Sequence, residues 1–234
     1  MKVDKIIFRT SLLTVVCLCA FSCFSCGNND DLSAPQIESV WNNMSTQPIE
    51  QVDCSYPQQT ICLRGSGFSG VGKLIVNGTE IDLTDTKIYN TDNSIIVALP
   101  KEVATTTSTG QAYLQVENAV GKAVYEPFYV FDSSEKPKIT GFSTTTLIPG
   151  STLRIAGGNL GGAVEVYLPL AFDQKVLCEF DANQTSSDTE IFVIVPEGVT
   201  FAQGQVEVVM HKTYAGTGDE YTTKAYSDVT NFSN

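Results

Sequence analysis

The chain carries two colinear copies of one series of short segments, and this repeat limits the fold more than any other feature. PQI at residues 35–37 reappears as PKI at 137–139, and TICLR at 60–64 reappears as TLRIA at 152–156. Further pairs follow in the same order: GSGF with GGNL, LIV with VEV, SIIVALP with EIFVIVP, and GQAYLQV with GQVEVVM. An order that is kept over so many segments predicts two copies of one structural unit.

The repeated segments are typical of β-strands. They are short alternating runs rich in Val, Ile, Thr and Tyr, separated by Gly, Asn, Asp and Pro, and they lack helical periodicity. We therefore predict an all-β fold of two tandem antiparallel β-sandwiches. The first domain is expected at residues 34–132 and the second at 137–234, joined by a polar linker at 133–136.

The pattern resembles the IPT/TIG domain, which has an immunoglobulin-like fold. The shared features are Pro-x-Ile, the glycine turn after the next strand, a strand that ends in Pro, and a final Gly-x-hydrophobic-x-Val strand. The second copy also has PGS at 149–151, as the family usually does, whereas the first has YPQQ at 56–59 after an insertion that carries Cys54. The resemblance covers about residues 34–231 and implies a fold rather than an activity.

Residues 1–25 are predicted to be a signal peptide. Lys2, Lys5 and Arg9 precede an apolar run at residues 11–24, which is the order of a secretory leader and is short for a membrane span. A transmembrane anchor is the alternative. The pair SC at 25–26 resembles a bacterial lipoprotein cleavage site, so we expect lipid on Cys26, with Cys23 as the fallback position.

The residues after Cys26 indicate a destination. The sequence GNNDD at 27–31 resembles the acidic export tag of Bacteroidota surface lipoproteins, and residues 26–33 would form a flexible acidic tether. This resemblance implies an outer-membrane protein that is anchored by lipid and exposed on the cell surface, although the sequence leaves the leaflet open. Acyl chains anchor a protein by burying methylene groups in the bilayer.

Three cysteines remain beyond the leader and the lipidation site. Cys54 and Cys62 are close in sequence, and an exported protein can keep a disulfide, so we predict a bridge between them, with two free thiols as the alternative. Ile61 and Leu63 should share the core face of a strand, which places Cys62 on the opposite face. Cys178 alternates with apolar neighbours and is expected to be a buried core thiol.

The sequence lacks a pattern that identifies catalysis or a cofactor. A formal charge of −12 disfavours nucleic acid as a partner. The motif GxGxxG at 65–70 lies between two predicted strands, whereas a phosphate loop opens a helix, so these glycines are expected to form a turn. Asp82, Asp85 and Asp92 lack EF-hand spacing, and His211 is the single histidine. We predict no catalytic residues, no metal and no cofactor.

Four aromatic residues fall where the sequence predicts loops: Trp41, Tyr56, Phe172 and Tyr214. Exposed aromatic side chains can stack on sugar rings or anchor protein interfaces, because a flat apolar face is combined with a polar edge. These four are the candidate ligand-binding residues. Ordinary packing is the alternative for each of them, and Trp41 in particular could cover a seam between the two domains.

Taken together, these features predict a non-enzymatic binding protein at the cell surface. The chain resembles the surface glycan-binding proteins of starch-utilisation-type systems, which implies polysaccharide and outer-membrane transporter components as partners. In that family a distinct C-terminal domain often binds the glycan, whereas this sequence ends after its second copy. The alternative is therefore a structural spacer, or a protein-interaction lipoprotein that docks to another outer-membrane component.

Overall fold

The computed structural model describes residues 32–43, 47–84 and 89–234. The predicted signal peptide, Cys26, Cys23 and Asp85 lie outside these residues. The segment Leu32–Asn234 forms one compact unit. Within the described residues, no helix has both the length and the apolar character needed to cross a membrane.

The first half of this unit contains ten strands and one short helix, α1 (Thr106–Thr109). The strands are β1 (Gln36–Asn42), β2 (Cys54–Ser55), β3 (Thr60–Ser66), β4 (Lys73–Val76), β5 (Thr79–Asp82), β6 (Tyr89–Asn90), β7 (Ser94–Ala98), β8 (Leu114–Glu117), β9 (Lys122–Tyr125) and β10 (Tyr129–Val130). They form one sheet in the order β1-β3-β7-β6 and a second in the order β5-β4-β8-β9. The short strands β2 and β10 pair in parallel beside them.

The second half repeats this architecture after a 3₁₀ turn at Ser133–Glu135. Its strands are β11 (Lys138–Phe142), β12 (Thr152–Gly158), β13 (Ala163–Pro169), β14 (Lys175–Leu177), β15 (Glu179–Phe180), β16 (Glu190–Ile194), β17 (Glu207–Thr213) and β18 (Glu220–Tyr226). The sheets run β11-β12-β16-β15 and β14-β13-β17-β18, the same two orders as in the first half. The predicted all-β fold of antiparallel sheets is confirmed. The bounds 34–132 and 137–234 stay our proposal for two domains, since the described chain forms one compact unit.

Each half has its own hydrophobic core between its two sheets. In the first half, Leu63 of β3 and Leu74 of β4 are fully buried in one cluster, and in the second, Ile155 of β12 and Val166 of β13 are buried in another. Each buried Leu, Ile or Val side chain contributes about 1.5–3 kcal/mol relative to exposure, so the alternating apolar residues hold the facing sheets together.

A glycine near the end of β3 and of β12, just before the turn that follows each strand, explains part of the repeat. A β-carbon on Gly65 would lie 1.9 Å from the carbonyl oxygen of Gln36, and one on Gly157 would lie 2.2 Å from that of Lys138. The strands β1 and β11 also shift register at the same place, after Ile37 and Ile139. The first copy then passes from β3 through this turn into another strand, β4, so the motif GxGxxG is a turn as predicted.

Candidate functional site

Cys54 and Cys62 are free thiols in the structure, so the predicted disulfide between them is absent from it. Cys54 lies on β2 beside Tyr129, whereas Cys62 lies on β3 between Trp41 and Ile96 of the neighbouring strands. The two side chains thus belong to different layers. Cys62 points away from the core, as expected, and it is buried on that face. Burial raises the pKa of the Cys54 thiol to about 12.

Two of the four aromatic candidates lie between the sandwiches. Tyr56 is 6% exposed and Tyr214 is 8% exposed, so neither offers a ring to a ligand, and their expected exposure in loops is wrong. They belong to a cluster that we call the aromatic junction. Its members come from both halves of the chain: Cys54, Tyr56, Ala112, Tyr129, Phe131, Tyr214 and Tyr221.

Hydrogen bonds fix the aromatic junction in place. The hydroxyl of Tyr214 donates to the carbonyl oxygen of Thr106 at 3.1 Å, and the hydroxyl of Tyr129 donates to Asp219 at 3.1 Å. The rings of Phe131 and Tyr221 stack with centroids 4.6 Å apart. Because such aromatic pairs contribute about 0.5–1.5 kcal/mol beyond the buried area, the junction resists bending between the two sandwiches.

Trp41 lies on the outer face of the sheet β1-β3-β7-β6 and is only partly exposed. The guanidinium carbon of Arg64 lies 4.3 Å from the centre of the indole ring, and the indole nitrogen donates to Ser39 at 2.9 Å. One face of the ring is therefore covered by a cation–π contact within the chain. Trp41 thus packs on side chains of its own sheet, Arg64 and Ser39.

Phe172 is the aromatic candidate whose side chain is exposed to solvent in the structure. Its side chain is 93% exposed at the tip of the hairpin between β13 and β14. Both Phe172 and Asp173 have positive φ, 60° and 56°, in a turn that the amide of Gln174 closes on the carbonyl of Ala171 at 3.4 Å. Such a backbone costs an L-residue other than glycine or asparagine on the order of 1 kcal/mol, and strain of this kind collects at functional positions.

A groove opens beside this hairpin, and we call it the Phe172 groove. Its volume is about 390 Å³. It is lined by chain neighbours of Phe172 together with Pro48 and Tyr226, and three of its lining residues are glutamines. The lining residues are Pro48, Pro169, Leu170, Asp173, Gln174, Lys175, Gln203, Gly204, Gln205, Glu207 and Tyr226.

Two residues of the groove lining, Glu207 and Tyr226, belong to one cross-strand row of the sheet, which we call the floor. Leu177, Tyr167, Glu207 and Tyr226 are partners on the adjacent strands β14, β13, β17 and β18, so their side chains point to the same outer face of the sheet. Lys175 lies over the ring of Tyr167, with the ammonium 4.1 Å from the ring centre. The groove therefore combines aromatic rings with charged and amide groups.

An ion-pair network runs through this row. The ammonium of Lys175 lies 2.7 Å from Glu207, and that of Lys224 lies 3.2 Å from the other oxygen of Glu207 and also pairs with Glu50. Burial lowers the pKa of Lys224, but its hydrogen bond to Glu50 and the two carboxylate charges outweigh burial and raise that pKa. Burial and the Glu50 charge raise the pKa of the Tyr226 phenol, whose hydroxyl donates to Glu50 at 2.8 Å.

The groups that the groove presents are amides, an ion pair and a phenol. Within residues 32–43, 47–84 and 89–234, no cluster of His, Cys, Asp and Glu could hold a metal ion. His211 is exposed on β17, as expected, and Asp82 accepts hydrogen bonds from its own turn at Thr84. Two carboxylates at this row, Glu50 and Glu207, are paired with lysines.

Sequence reasoning missed the floor of the groove. Tyr167, Glu207 and Tyr226 are far apart in sequence, and each lies in an ordinary alternating strand. A signal was present, because each of the three occupies a position on the polar, outward face of its strand. Only the strand order β14-β13-β17-β18 brings them together.

Comparison with known proteins gives one sequence relative and several structures. No known family profile matches the chain. A protein described as "IPT/TIG domain-containing protein" from Bacteroides ovatus is 28% identical over 167 residues, which cover 68% of this chain and 32% of the relative. The resemblance to IPT/TIG proteins is thus confirmed at the level of sequence similarity.

The structures that resemble the chain include glycan-binding proteins. One, solved with a xylogluco-oligosaccharide, is 21% identical with a TM-score of 0.36, and covers 82% of this chain and 40% of its own. The surface glycan-binding protein PbSGBP-B from Prevotella bryantii is 18% identical with a TM-score of 0.36, at 82% and 41% coverage. SGBP-B from a Bacteroides ovatus mixed-linkage glucan utilization locus, solved with a heptasaccharide, is 17% identical with a TM-score of 0.32, at 84% and 46% coverage. This chain spans less than half the length of each of these relatives.

Proposed function

We propose that the protein is a non-enzymatic glycan-binding protein that holds polysaccharide at the Phe172 groove. The observation that carries the proposal is Phe172 itself, a ring that is 93% exposed on a strained turn, next in the chain to Asp173 of the polar groove. A bulky residue with a left-handed backbone costs stability, and a ligand that stacks on the ring of Phe172 would explain why this turn carries one.

The chemistry of the groove suits a sugar. A pyranose ring has an apolar face that stacks on an aromatic ring and hydroxyl groups around its edge that both donate and accept hydrogen bonds. Phe172 supplies the flat apolar surface, and the amide groups of Gln174 and Gln203 each present a donor and an acceptor. A volume of about 390 Å³ falls in the range of small-molecule sites.

The cellular setting is also part of the proposal. The cleavage-site pattern at Cys26, the acidic sequence after it and the similarity to a Bacteroides protein support our proposal of a protein that is lipidated at Cys26, anchored in the outer membrane and exposed on the cell surface. In that place it would serve as an accessory component of a polysaccharide-uptake system. It would present glycan to outer-membrane transporter components, its proposed protein partners.

The aromatic junction supports the second candidate function, a spacer or docking lipoprotein. A hydrogen-bonded aromatic cluster between two sandwiches makes a stiff rod, which is useful for holding another component at a set distance. A rod of this kind would depend on the junction and would function without Phe172.

A glycan array with matched variants tests the proposal. We expect the wild type to bind one class of polysaccharide selectively, Phe172→Ala to lose that binding, and Tyr89→Ala to keep it. Tyr89 is a fair control because it is also an exposed aromatic residue, 59% accessible, but lies on the first sandwich. An array with no binding at all would reject the glycan proposal and favour docking, which cross-linking on intact cells would then examine.

A further inference from the structure

The cations at the Phe172 groove are already neutralised by the chain. Among the described lining residues Lys175 is the one cation, and its ammonium lies 2.7 Å from Glu207. The next cation along the sheet, Lys224, contacts the same carboxylate at 3.2 Å and also pairs with Glu50. Asp173 adds a further negative charge at the wall.

Glu207 is the centre of this arrangement. Its side chain is 9% exposed, and its two oxygens face two different lysines. A carboxylate so placed is held in position, since its removal would leave Lys175 without its carboxylate partner and Lys224 with Glu50 alone. The chain as a whole carries a formal charge of −12, so the surrounding field has the same sign.

We infer that the Phe172 groove selects uncharged glycans over glycans that carry carboxylate or sulfate groups, and that Glu207 determines this specificity. The inference rests on the proposed glycan-binding function and names its substrate class. An anionic sugar would find no unpaired cation at the groove and would meet the carboxylates of Glu207 and Asp173. Exclusion by unpaired like charge is a general way to achieve specificity.

A neutral sugar needs no unpaired cation and is not repelled by the carboxylates of Glu207 and Asp173. Its hydroxyl groups can use the amide groups of Gln174 and Gln203 while the ion pairs stay intact. The ion pairs thus affect specificity because they neutralise two ammonium groups that would otherwise attract anionic polymers.

The test uses galacturonan as the probe, because it exists as charged polygalacturonate and as an uncharged methyl ester with the same backbone. Affinity electrophoresis of the purified protein should show no retention of the wild type by polygalacturonate. In Glu207→Gln, which keeps the shape and removes the charge, Lys175 loses its carboxylate partner and becomes available, while Lys224 keeps Glu50. We expect polygalacturonate affinity to rise about tenfold or more, as for one new charge-assisted contact, and to fall again with added salt.

Glu80→Gln is the matched control. It makes the same change in net charge at an exposed ion pair with Lys73, on the first sandwich. We expect it to leave polygalacturonate binding at the wild-type level. If Glu207→Gln fails to give a cooperative thermal transition, Glu50→Gln frees Lys224 from its other partner and should produce a smaller gain.

The outcomes separate the two proposals. Retention of the wild type by polygalacturonate as strong as by its methyl ester, or an equal gain in Glu80→Gln, would overturn the specificity inference. A folded Glu207→Gln variant with no increase in polygalacturonate affinity would also overturn it. If Glu207→Gln does not fold, the same result with Glu50→Gln would overturn it. A gain confined to Glu207→Gln, together with a neutral glycan array that shows no Phe172-dependent binding, would reject the proposed function and retain the role of Glu207 in excluding anions.

Discussion

Phe172 occupies in the second sandwich the hairpin position that Asn77 occupies in the first. The hairpin β4–β5 turns through Asn77 and Gly78, with φ of 48° and 87°, and the hairpin β13–β14 turns through Phe172 and Asp173, with φ of 60° and 56°. Asn-Gly is the favoured pair for a turn with two positive φ angles, whereas Phe-Asp is not. The turn in the second sandwich is therefore strained, whereas the corresponding turn in the first sandwich has residues that suit its backbone.

Replacing Phe172 and Asp173 by Asn and Gly should stabilise the protein and abolish glycan binding. The double variant relieves two left-handed backbones, so we expect the free energy of unfolding to rise by about 1–2 kcal/mol. Urea denaturation and the glycan array measure the two effects on one protein. A double variant that is less stable than the wild type would show that the ring packs in solution.

The aromatic junction should contribute far more stability than the exposed aromatic residues. Tyr214→Ala removes a buried ring and its hydrogen bond to Thr106, and we expect a loss of about 3–5 kcal/mol, as for other large-to-small changes in a core. The control Tyr89→Ala, at an exposed site, should change stability by less than about 0.5 kcal/mol. Thermal and urea denaturation compare the pair, and equal effects would mean that the two sandwiches are not packed through Tyr214.

The repeated segments made the fold predictable. Alternation placed Ile61, Leu63, Leu153 and Ile155 in the cores, and all four are buried there. This worked because strand periodicity and core burial are local properties of a short segment. The same reasoning placed Cys178 correctly in the second core.

The aromatic candidates were only partly predictable, because loop position does not determine exposure. Tyr56 and Tyr214 lie in irregular segments, yet each is covered by the opposite sandwich. Their burial depends on how the two sandwiches pack against each other, and the sequence of either segment alone does not determine that packing. Phe172 differs because its hairpin points away from the rest of the chain, and the sequence signal of an apolar turn was informative there.

The thiols should distinguish the observed structure from a disulfide-bonded one. We expect Cys54, Cys62 and Cys178 to resist alkylation in the native protein, since all three are buried, and to react fully after unfolding without a reductant. Mass spectrometry of the alkylated peptides reads each position separately. A protein in which only Cys178 reacts after unfolding would carry the Cys54–Cys62 bridge.

Stability should fall in alkaline solution, beginning near pH 9. Burial raises the pKa of both Cys54 and Cys178 from 9.0 to about 12, so the native thiols keep their protons while unfolded thiols lose theirs. The unfolded state then binds fewer protons, and the stability that is complete below pH 9 declines until about pH 12. Each thiol contributes a slope of about 1.4 kcal/mol per pH unit in this window.

Cys54→Ala provides the control for this dependence, and the comparison concerns the slope rather than the absolute stability, because the substitution also alters packing. Urea denaturation at intervals from pH 8 to pH 10 should show a shallower decline in the variant, with the Cys178 contribution left in place. Burial also raises the pKa of Tyr56 above its ordinary 10.0, so the phenol adds to the decline only at higher pH. If the wild type and Cys54→Ala lose stability at the same rate between pH 9 and pH 10, then the Cys54 thiol is not held protonated in the aromatic junction.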